Sequence, residues 1–145
     1  MTEFEIADTI AADDLVTIES GVSAYNDGKG FLPDDERDLA ILKRDAEGKI
    51  IAGLTGKTHL NWLHIGMLWV EPAYQRQGLG TKLVKAAEAE AIRRGCHSVY
   101  LYTLSFQGPG FYEKLGYRQF VVMHDLPNDH QRLGFMKQLV DPGKG

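Results

Sequence analysis

The order of a strand, a helix and a second strand between residues 62 and 104 constrains the fold of this 145-residue chain more than any other feature. Trp62 to Val70 is almost continuously apolar, which predicts a strand covered on both faces. Val99 to Leu104 is rich in aromatic and branched residues and predicts another interior strand. Two such strands joined through a helix predict a parallel pair with a right-handed crossover. The expected fold class is therefore a mixed α/β sheet covered by helices.

The connecting helix is predicted from about Gly78 to Arg94, and Gly95 is expected to stop it. One face of this helix is apolar and the opposite face is charged. The apolar stripe comprises Leu79, Leu83, Ala87 and Ala91, and the residues expected to face water include Lys82, Lys85, Glu88 and Glu90.

The flanking segments predict further strands and helices. Phe4 and Ile6 alternate with acids, as in a short first strand, and apolar residues then recur at helical spacing from Leu15 to Tyr25. The composition of residues 45–48 is that of a hairpin turn. The other predicted elements are strands at Leu39–Lys43, Ile50–Lys57, Tyr117–Met123 and Leu133–Leu139, and a short helix near Pro109–Leu115.

Length and charge limit the possible functions. The length fits one domain over residues 1–140, followed by a short tail at residues 141–145. Sixteen basic and twenty acidic side chains give a net charge of -4, which argues against nucleic-acid binding and suits a cationic substrate. Cys96 is the single cysteine, so an intrachain disulfide is excluded and a reducing, cytoplasmic setting is expected. The sequence contains neither a signal peptide pattern nor a long apolar run, so no membrane association is expected.

A pair of glycines, Gly78 and Gly80, lies at the start of the predicted central helix. The first amides of a helix have no internal partner and the helix dipole favours an anion there, so a phosphate group would fit. Gln75, Arg76 and Thr81 add donors. The segment lacks the Gly-Lys-Ser/Thr of a P-loop and the third glycine of a dinucleotide fingerprint. A tight turn or close helix packing would explain the same two glycines.

Two motifs at the observed separation resemble those of the GNAT superfamily of acyl-CoA-dependent N-acetyltransferases. They are Gln75-x-x-Gly78-x-Gly80 after an apolar strand, and Phe111-Tyr112-Glu113-Lys114-Leu115-Gly116-Tyr117. The resemblance implies a mostly antiparallel sheet of six to seven strands, with a central parallel pair and about four helices. It also implies direct transfer of an acetyl group from acetyl-CoA to an amine, without a covalent acyl-enzyme.

The same resemblance implies where coenzyme A would bind. Its pantetheine arm would lie between the strand ending at Val70 and the strand at Val99–Leu104, and would pair with the backbone near Leu68 and Val70. Ser105 departs from an asparagine common in relatives, which leaves Ser105 or Gln107 as candidates to replace that cofactor contact. The pyrophosphate would be held by the loop residues Gln75, Arg76, Gln77, Gly78, Leu79, Gly80 and Thr81.

Catalytic roles also follow from the resemblance. Tyr112 corresponds to the tyrosine that protonates the departing thiolate. A protonated amine must lose a proton before it attacks, and Glu71 and His64 are the two candidate bases. The alternatives are a solvated charge at a strand end for Glu71 and a hydrogen-bonded strand histidine for His64. The remaining histidines are dispersed, so no metal site is expected.

The acceptor is expected to be a primary amine of a small molecule, such as an amino sugar, a polyamine or an amine-bearing antibiotic. Tyr25, Asn26 and Phe31, close to acidic residues, are candidates for the wall of its binding site. The alternatives are a protein lysine or N-terminus as acceptor, and a non-catalytic acyl-CoA-binding regulatory module. A homodimer is possible, since dimers are common in this family.

Overall fold

A computed structural model describes residues 4–27, 35–105, 107–126 and 128–142. The chain divides into two compact units, Met1–Asp34 and Asp35–Gly145, and each is described by itself. The expectation of one domain over residues 1–140 stays a prediction. Residues 143–145 of the expected tail lie outside the described residues.

The described residues of the first unit form one helix, α1, at Ala12–Asp27, which confirms the helical spacing read from Leu15 onward. Asp13 and Asp14 occupy its first turn, where a negative charge complements the helix dipole. Phe4 and Ile6 do not form the expected strand: this stretch has no sheet partner, and the two side chains are 77% and 86% exposed. Two alternating apolar residues bury too little surface to hold a strand in place.

The second unit consists of a six-stranded sheet and its helices. The sheet order is β1-β2-β3-β4-β6-β5, and no described helix has the length and apolar character needed to cross a membrane. The strands are β1 (Arg37–Arg44), β2 (Ile50–His59), β3 (Trp62–Val70), β4 (Ser98–Leu104), β5 (Arg118–His124) and β6 (Gln131–Gln138). The helices are α2 (Leu79–Arg93) and α3 (Gly110–Lys114), with a 3-10 turn at Pro72–Tyr74.

The predicted parallel pair is confirmed at the centre of this sheet. Trp62 to Ile65 of β3 pair in parallel with Ser98 to Leu101 of β4, and the other four strand pairs are antiparallel. The strand count of six is within the expected range. The described residues contain three α-helices and the 3-10 turn, where about four helices were expected.

A β-bulge at Gly66 interrupts β3. Ile65 pairs with Gly56 of β2 and Met67 pairs with Thr55, so Gly66 is an extra residue on β3. The extra residue reverses the alternation of side chains along the strand. Before it, Leu63 and Ile65 belong to the core, and after it Leu68 and Val70 pack against the core.

The main core lies between the sheet and α2. Ala52, Leu63 and Phe135 of the sheet are fully buried, as is Ala87 of α2. The other face is more open, because Met67 and Trp69 are 68% and 50% exposed. The expectation that β3 is covered on both faces is therefore wrong for its second half. Its continuous apolar run consists of two side-chain sets that face opposite ways around the bulge.

Glu88 of α2 is buried, so the expectation that it faces water is wrong. Its carboxylate accepts a hydrogen bond of 2.7 Å from the Tyr117 hydroxyl and lies 3.2 Å from Lys137 Nζ. Lys137 Nζ also donates to the Leu115 carbonyl at 2.9 Å. Burial, followed by the bond to Glu88, raises the pKa of Tyr117, so this hydroxyl stays a donor. The three side chains join α2, the end of α3 and β6.

We expect Glu88→Gln to lower the free energy of unfolding by about 1–3 kcal/mol, because it leaves Lys137 without a charged partner inside the protein. Urea unfolding followed by circular dichroism measures the change. Glu113→Gln is the matched control, since it removes an exposed acid from α3. Equal unfolding midpoints for the two variants would show that the Glu88 network contributes nothing to stability.

Candidate active site

A gap opens between β3 and β4 at the point where their parallel pairing ends. Beyond Ile65 and Leu101 the two strands have no further pairs with each other. Each strand stays bound on its other side, because Val70 pairs with Ala52 of β2 and Leu104 pairs with Arg132 of β6. The gap therefore has two strand edges that an extended ligand could bind through backbone hydrogen bonds.

The β3 edge of this gap contains Leu68 and Val70, the two residues expected to pair with the pantetheine arm. The Glu71 amide donates to the Ile51 carbonyl of β2 at 2.9 Å. Because successive residues of a strand direct their backbone groups to opposite sides, Leu68 and Val70 direct theirs away from β2 and toward the gap. The geometry thus supplies the donors and acceptors that this prediction requires.

The β4 edge is partly closed by a side chain, that of Gln107. The Ser105 amide donates to the Gln131 carbonyl at 2.8 Å, so the preceding Leu104 amide points away from β6 and toward the gap. Gln107 Oε1 accepts a hydrogen bond of 2.9 Å from that amide. Ser105 Oγ instead accepts from the Gln131 amide at 2.9 Å. Ser105 and Gln107 are the two candidates to replace the cofactor contact of the asparagine. Gln107 lies at the gap, whereas Ser105 binds the backbone of β6.

The glycine loop is tied to the end of β3. Gln75 Nε2 donates to the Val70 carbonyl at 3.1 Å, and the Gln75 amide bonds to Pro72 in the 3-10 turn. Arg76 and Gly78 adopt positive φ values of 66° and 79°. Glycine takes this conformation without steric cost, so the tight-turn explanation holds for Gly78. The side chains of Arg76 and Gln77 are exposed beside it.

The start of α2 has the free amides expected of an anion site. Gly78 is the N-cap residue and provides no side-chain cap. The first hydrogen bond of the helix runs from the Lys82 amide to the Gly78 carbonyl, so the amides of Leu79, Gly80 and Thr81 have no partner within the helix. These donors and the positive end of the dipole fit a pyrophosphate.

Gly80 has a packing role as well. A Cβ at this position would lie 3.4 Å from Cζ of Phe111, so the glycine lets α2 approach α3 closely. The close-packing explanation therefore holds for Gly80. The same contact places α3, and with it Tyr112, beside the start of α2.

Tyr112 is buried on the core face of the sheet, with 9% of its surface exposed. Its ring contacts those of Phe111, Tyr117 and Phe135, with centroids 5.0, 5.8 and 6.0 Å away. Burial raises the pKa of the Tyr112 phenol. The hydroxyl is therefore protonated at neutral pH and able to donate a proton.

His64 lies on the opposite face of the sheet from Tyr112. Its neighbours Leu63 and Ile65 point into the core that contains Tyr112, so by strand alternation His64 points outward. The imidazole stacks on Tyr100 with centroids 4.7 Å apart. Burial, followed by the positive charge of Arg132, lowers the pKa of His64. At neutral pH the imidazole is thus uncharged and able to accept a proton.

Glu71 follows the end of β3, and its carboxylate pairs with Lys49 at 3.3 Å. The side chain is 27% exposed, so this pair is accessible to solvent. The structure does not bring Tyr112 and His64 together on one surface, because they lie on opposite faces of the sheet. The gap between β3 and β4 is the place where the two faces meet.

The outer face bears a row of aromatic side chains that the sequence analysis missed. Alternation in the two parallel strands is the signal that could have revealed the row, because Trp62 and His64, and likewise Tyr100 and Tyr102, are two residues apart. It comprises Trp62, His64, Tyr100, Tyr102 and Phe120, linked by ring contacts of 4.7–6.4 Å.

Cavities accompany this aromatic row. His64 contributes to two of them, with volumes of about 360 and 450 Å³. A third, of about 380 Å³, adjoins the end of β4 and contains Tyr102 and Arg132 in its lining. The expected acceptor wall stays a prediction: Tyr25 and Asn26 lie in the last turn of α1 in the first unit, and Phe31 is outside the described residues.

Known proteins resemble this chain over the same segments. Residues 10–117 match the model of the Acetyltransferase (GNAT) family. Blasticidin-S acetyltransferase of Streptomyces morookaense is 40% identical over 81 residues, which are 55% of this chain and 60% of that protein. The match to this relative thus spans less than two thirds of its length. An acetyltransferase of Agrobacterium fabrum is 34% identical over 114 residues, which are 79% of this chain and 82% of that protein.

A solved structure extends the match to the fold. The crystal structure of an acetyltransferase from Bacillus cereus has a TM-score of 0.82 and 31% identity to this chain. The match covers 92% of this chain and 97% of the Bacillus cereus chain. The matched family segment, residues 10–117, includes the glycine loop, the gap and Tyr112 but ends before Arg132.

We expect Arg132→Gln to raise the pKa of His64, because a nearby positive charge disfavours the imidazolium. Burial should still hold the value below the ordinary 6.5. Titration of the His64 ring resonances by NMR measures both effects. Arg118→Gln, which removes an exposed charge from β5, is the control. An unchanged His64 titration in Arg132→Gln would show that the two groups do not interact.

Proposed function

The chain belongs to the GNAT family of acyl-CoA-dependent acetyltransferases, and on this premise we propose that it transfers acetyl from acetyl-CoA to a primary amine of a small molecule. The observation that carries the proposal is the gap between β3 and β4. Its β3 edge presents the Leu68 and Val70 backbone, and the glycine loop is bonded to the end of the same strand. The β3 edge that would bind the pantetheine arm and the glycine loop that would bind the pyrophosphate are thus consecutive in the sequence.

Coenzyme A fits the donors that surround the gap. The free amides at the start of α2 would hold its pyrophosphate, and Arg76 and Thr81 can add side-chain hydrogen bonds. The backbone of Leu68 and Val70 would bind the amide groups of the pantetheine arm as an additional strand does. The Gln107 side chain would move when this arm binds, because it accepts the hydrogen bond of the Leu104 amide at the opposite edge of the gap.

Tyr112 is proposed to protonate the departing thiolate. Its hydroxyl is protonated at neutral pH because burial raises the pKa. A thiol has an ordinary pKa of about 8.5, so the phenol is the weaker acid and must act through its position and the low polarity around it. The contacts of the ring with Phe111, Tyr117 and Phe135 fix that position.

His64 is proposed to accept the proton of the amine. It faces two outer cavities and is uncharged at neutral pH. Glu71 is a weaker candidate, because Lys49 already pairs with its carboxylate. The acceptor would therefore enter from the outer face, and the thioester would reach it through the gap.

The likeness to blasticidin-S acetyltransferase supports a small-molecule acceptor, and an amine-bearing antibiotic is one candidate. Incubation with acetyl-CoA and a panel of amino sugars, polyamines, amino acids and antibiotics, followed by release of free thiol, tests the proposal. Binding of CoA without thiol release across the panel would contradict it. Mass spectrometry of a proteome treated with labelled acetyl-CoA would reveal protein acceptors instead.

We expect Tyr112→Phe to lower kcat by about 10²-fold, because removal of a general acid slows departure of the thiolate. The affinity for CoA should stay unchanged, since Tyr112 is not among the proposed CoA contacts. Steady-state kinetics and calorimetric CoA titration separate the two effects. Tyr74→Phe, in the 3-10 turn, is the control for loss of a tyrosine hydroxyl. Equal turnover in Tyr112→Phe and the control would remove Tyr112 from the mechanism.

His64→Gln should lower kcat/KM by about 10²-fold near neutral pH, as expected when a general base is removed. In the unmodified protein, kcat/KM should fall as the pH drops through the His64 pKa, because the imidazolium cannot accept a proton. This limb should be missing in the variant. A pH–rate profile that keeps the same acid limb in His64→Gln would exclude His64 as the base.

A further inference from the structure

We propose that the cavity at the end of β4 binds a carboxylate of the acceptor through Arg132, so that the preferred substrates are amines that also carry an acid group. The inference rests on the proposed function and specifies its substrate class. The cavity has a volume of about 380 Å³. Its lining residues are Tyr102, Thr103, Leu104, Gln107, Leu126 and Arg132.

The position of this cavity suits an acceptor. Tyr102 to Leu104 form the β4 edge of the gap, and the same residues line the cavity. Tyr102 lies on the outer face with His64, since their rings meet at 6.4 Å. A molecule in the cavity would therefore lie beside the gap on the face that bears the proposed base. The glycine loop, by contrast, follows β3 and has its own donors for the phosphates of CoA.

The charge of the cavity points to an anionic group. Among the described residues that line it, Arg132 is the one charged side chain and none is an acid. Among the ion pairs of the described residues, none includes Arg132. The guanidinium carbon lies 4.8 Å from the centroid of the Tyr102 ring. A guanidinium can bind a carboxylate through two parallel hydrogen bonds, and a contact with a ring does not use up its N–H groups.

Arg132 packs against Tyr102, and this contact restricts the arginine side chain before a ligand binds. Less conformational entropy is then lost on binding. Tyr102 in turn contacts Tyr100 and Phe120 with ring centroids about 6 Å apart. Phe120 can approach because the residue of β6 that pairs with Tyr102 is Gly134: a Cβ there would lie 2.9 Å from the Phe120 ring.

Ser105 stabilises the backbone next to Arg132. Its hydroxyl and amide hold the backbone of Gln131, the residue directly before Arg132. The serine that stands where relatives often have asparagine would therefore serve the acceptor site, by fixing the start of β6. Tyr102 contacts both Arg132 and the ring of His64, so the three side chains lie in one region of the outer face.

Pairs of acceptors that differ only in the carboxylate test the inference, for example tyrosine with tyramine and histidine with histamine. The unmodified protein should have the higher kcat/KM for the member with the carboxylate. Arg132→Gln should lower that kcat/KM by about 10- to 100-fold, mainly through KM, since a hydrogen bond to a charged group contributes about 1.5–3 kcal/mol. The comparison is made at about pH 8.5, where His64 stays uncharged in both proteins, so Arg132→Gln should leave the decarboxylated amine and the affinity for CoA unchanged.

Two variants complete the experiment. Arg118→Gln removes the same charge from the same hairpin without touching the cavity and should change neither acceptor. Arg132→Lys keeps the charge but loses the two parallel hydrogen bonds, so its KM should be intermediate. This variant also separates loss of recognition from a failure to fold.

The outcomes distinguish the inference from the proposed function. Thiol release with amines, but no preference for the carboxylate and equal losses for both acceptors in Arg132→Gln, would overturn the inference alone. Weaker CoA binding in Arg132→Gln would overturn it too, by assigning the arginine to the cofactor. Absence of thiol release with every acceptor, in the presence of CoA binding, would overturn the proposed function and the inference with it.

Discussion

One extra residue in β3, Gly66, sets the geometry on which the site depends. With regular pairing, β3 would continue beside β4 and fill the gap with its own hydrogen bonds. The bulge instead bends the strand where the parallel pairs end, while β2 and β6 keep the two diverging strands in place. It also turns Leu68 and Val70 toward the core and Met67 and Trp69 outward. A binding edge and a second, open face are therefore consequences of the same irregularity.

Diverging strands leave backbone groups without partners, and polar side chains replace some of the missing bonds. Gln75 binds the Val70 carbonyl at one edge of the gap, and Gln107 binds the Leu104 amide at the other. Ser105 binds the Gln131 amide where the β4–β6 ladder ends. All three residues were first interpreted as cofactor contacts. In the structure these side chains bind the backbone at the edges of the gap, and these bonds stabilise its shape.

The sequence predicted the elements well because each has a local cause. The helix-stop glycine, the composition of the hairpin turn and the apolar stripe of α2 all depend on neighbours along the chain. The bulge was not predictable in this way, because both registers of Trp62–Val70 present apolar residues to the core. Glu88 was misplaced for a related reason. Its partners, Tyr117 and Lys137, are distant in sequence, and an acid at helical spacing is usually on the surface.

Burial acts on Tyr112 and His64 in opposite directions and leaves both in the form that the proposed reaction needs. It raises the pKa of the phenol and lowers that of the imidazole, because in each case the charged form loses solvation. The proposed acid on the core face thus holds its proton, and the proposed base on the outer face lacks one. A reaction that takes a proton from an amine on one face and delivers another to a thiolate on the other does not need a direct contact between the two residues. It needs a passage between the two faces of the sheet, and we propose that this passage lies where the pairing of β3 and β4 ends.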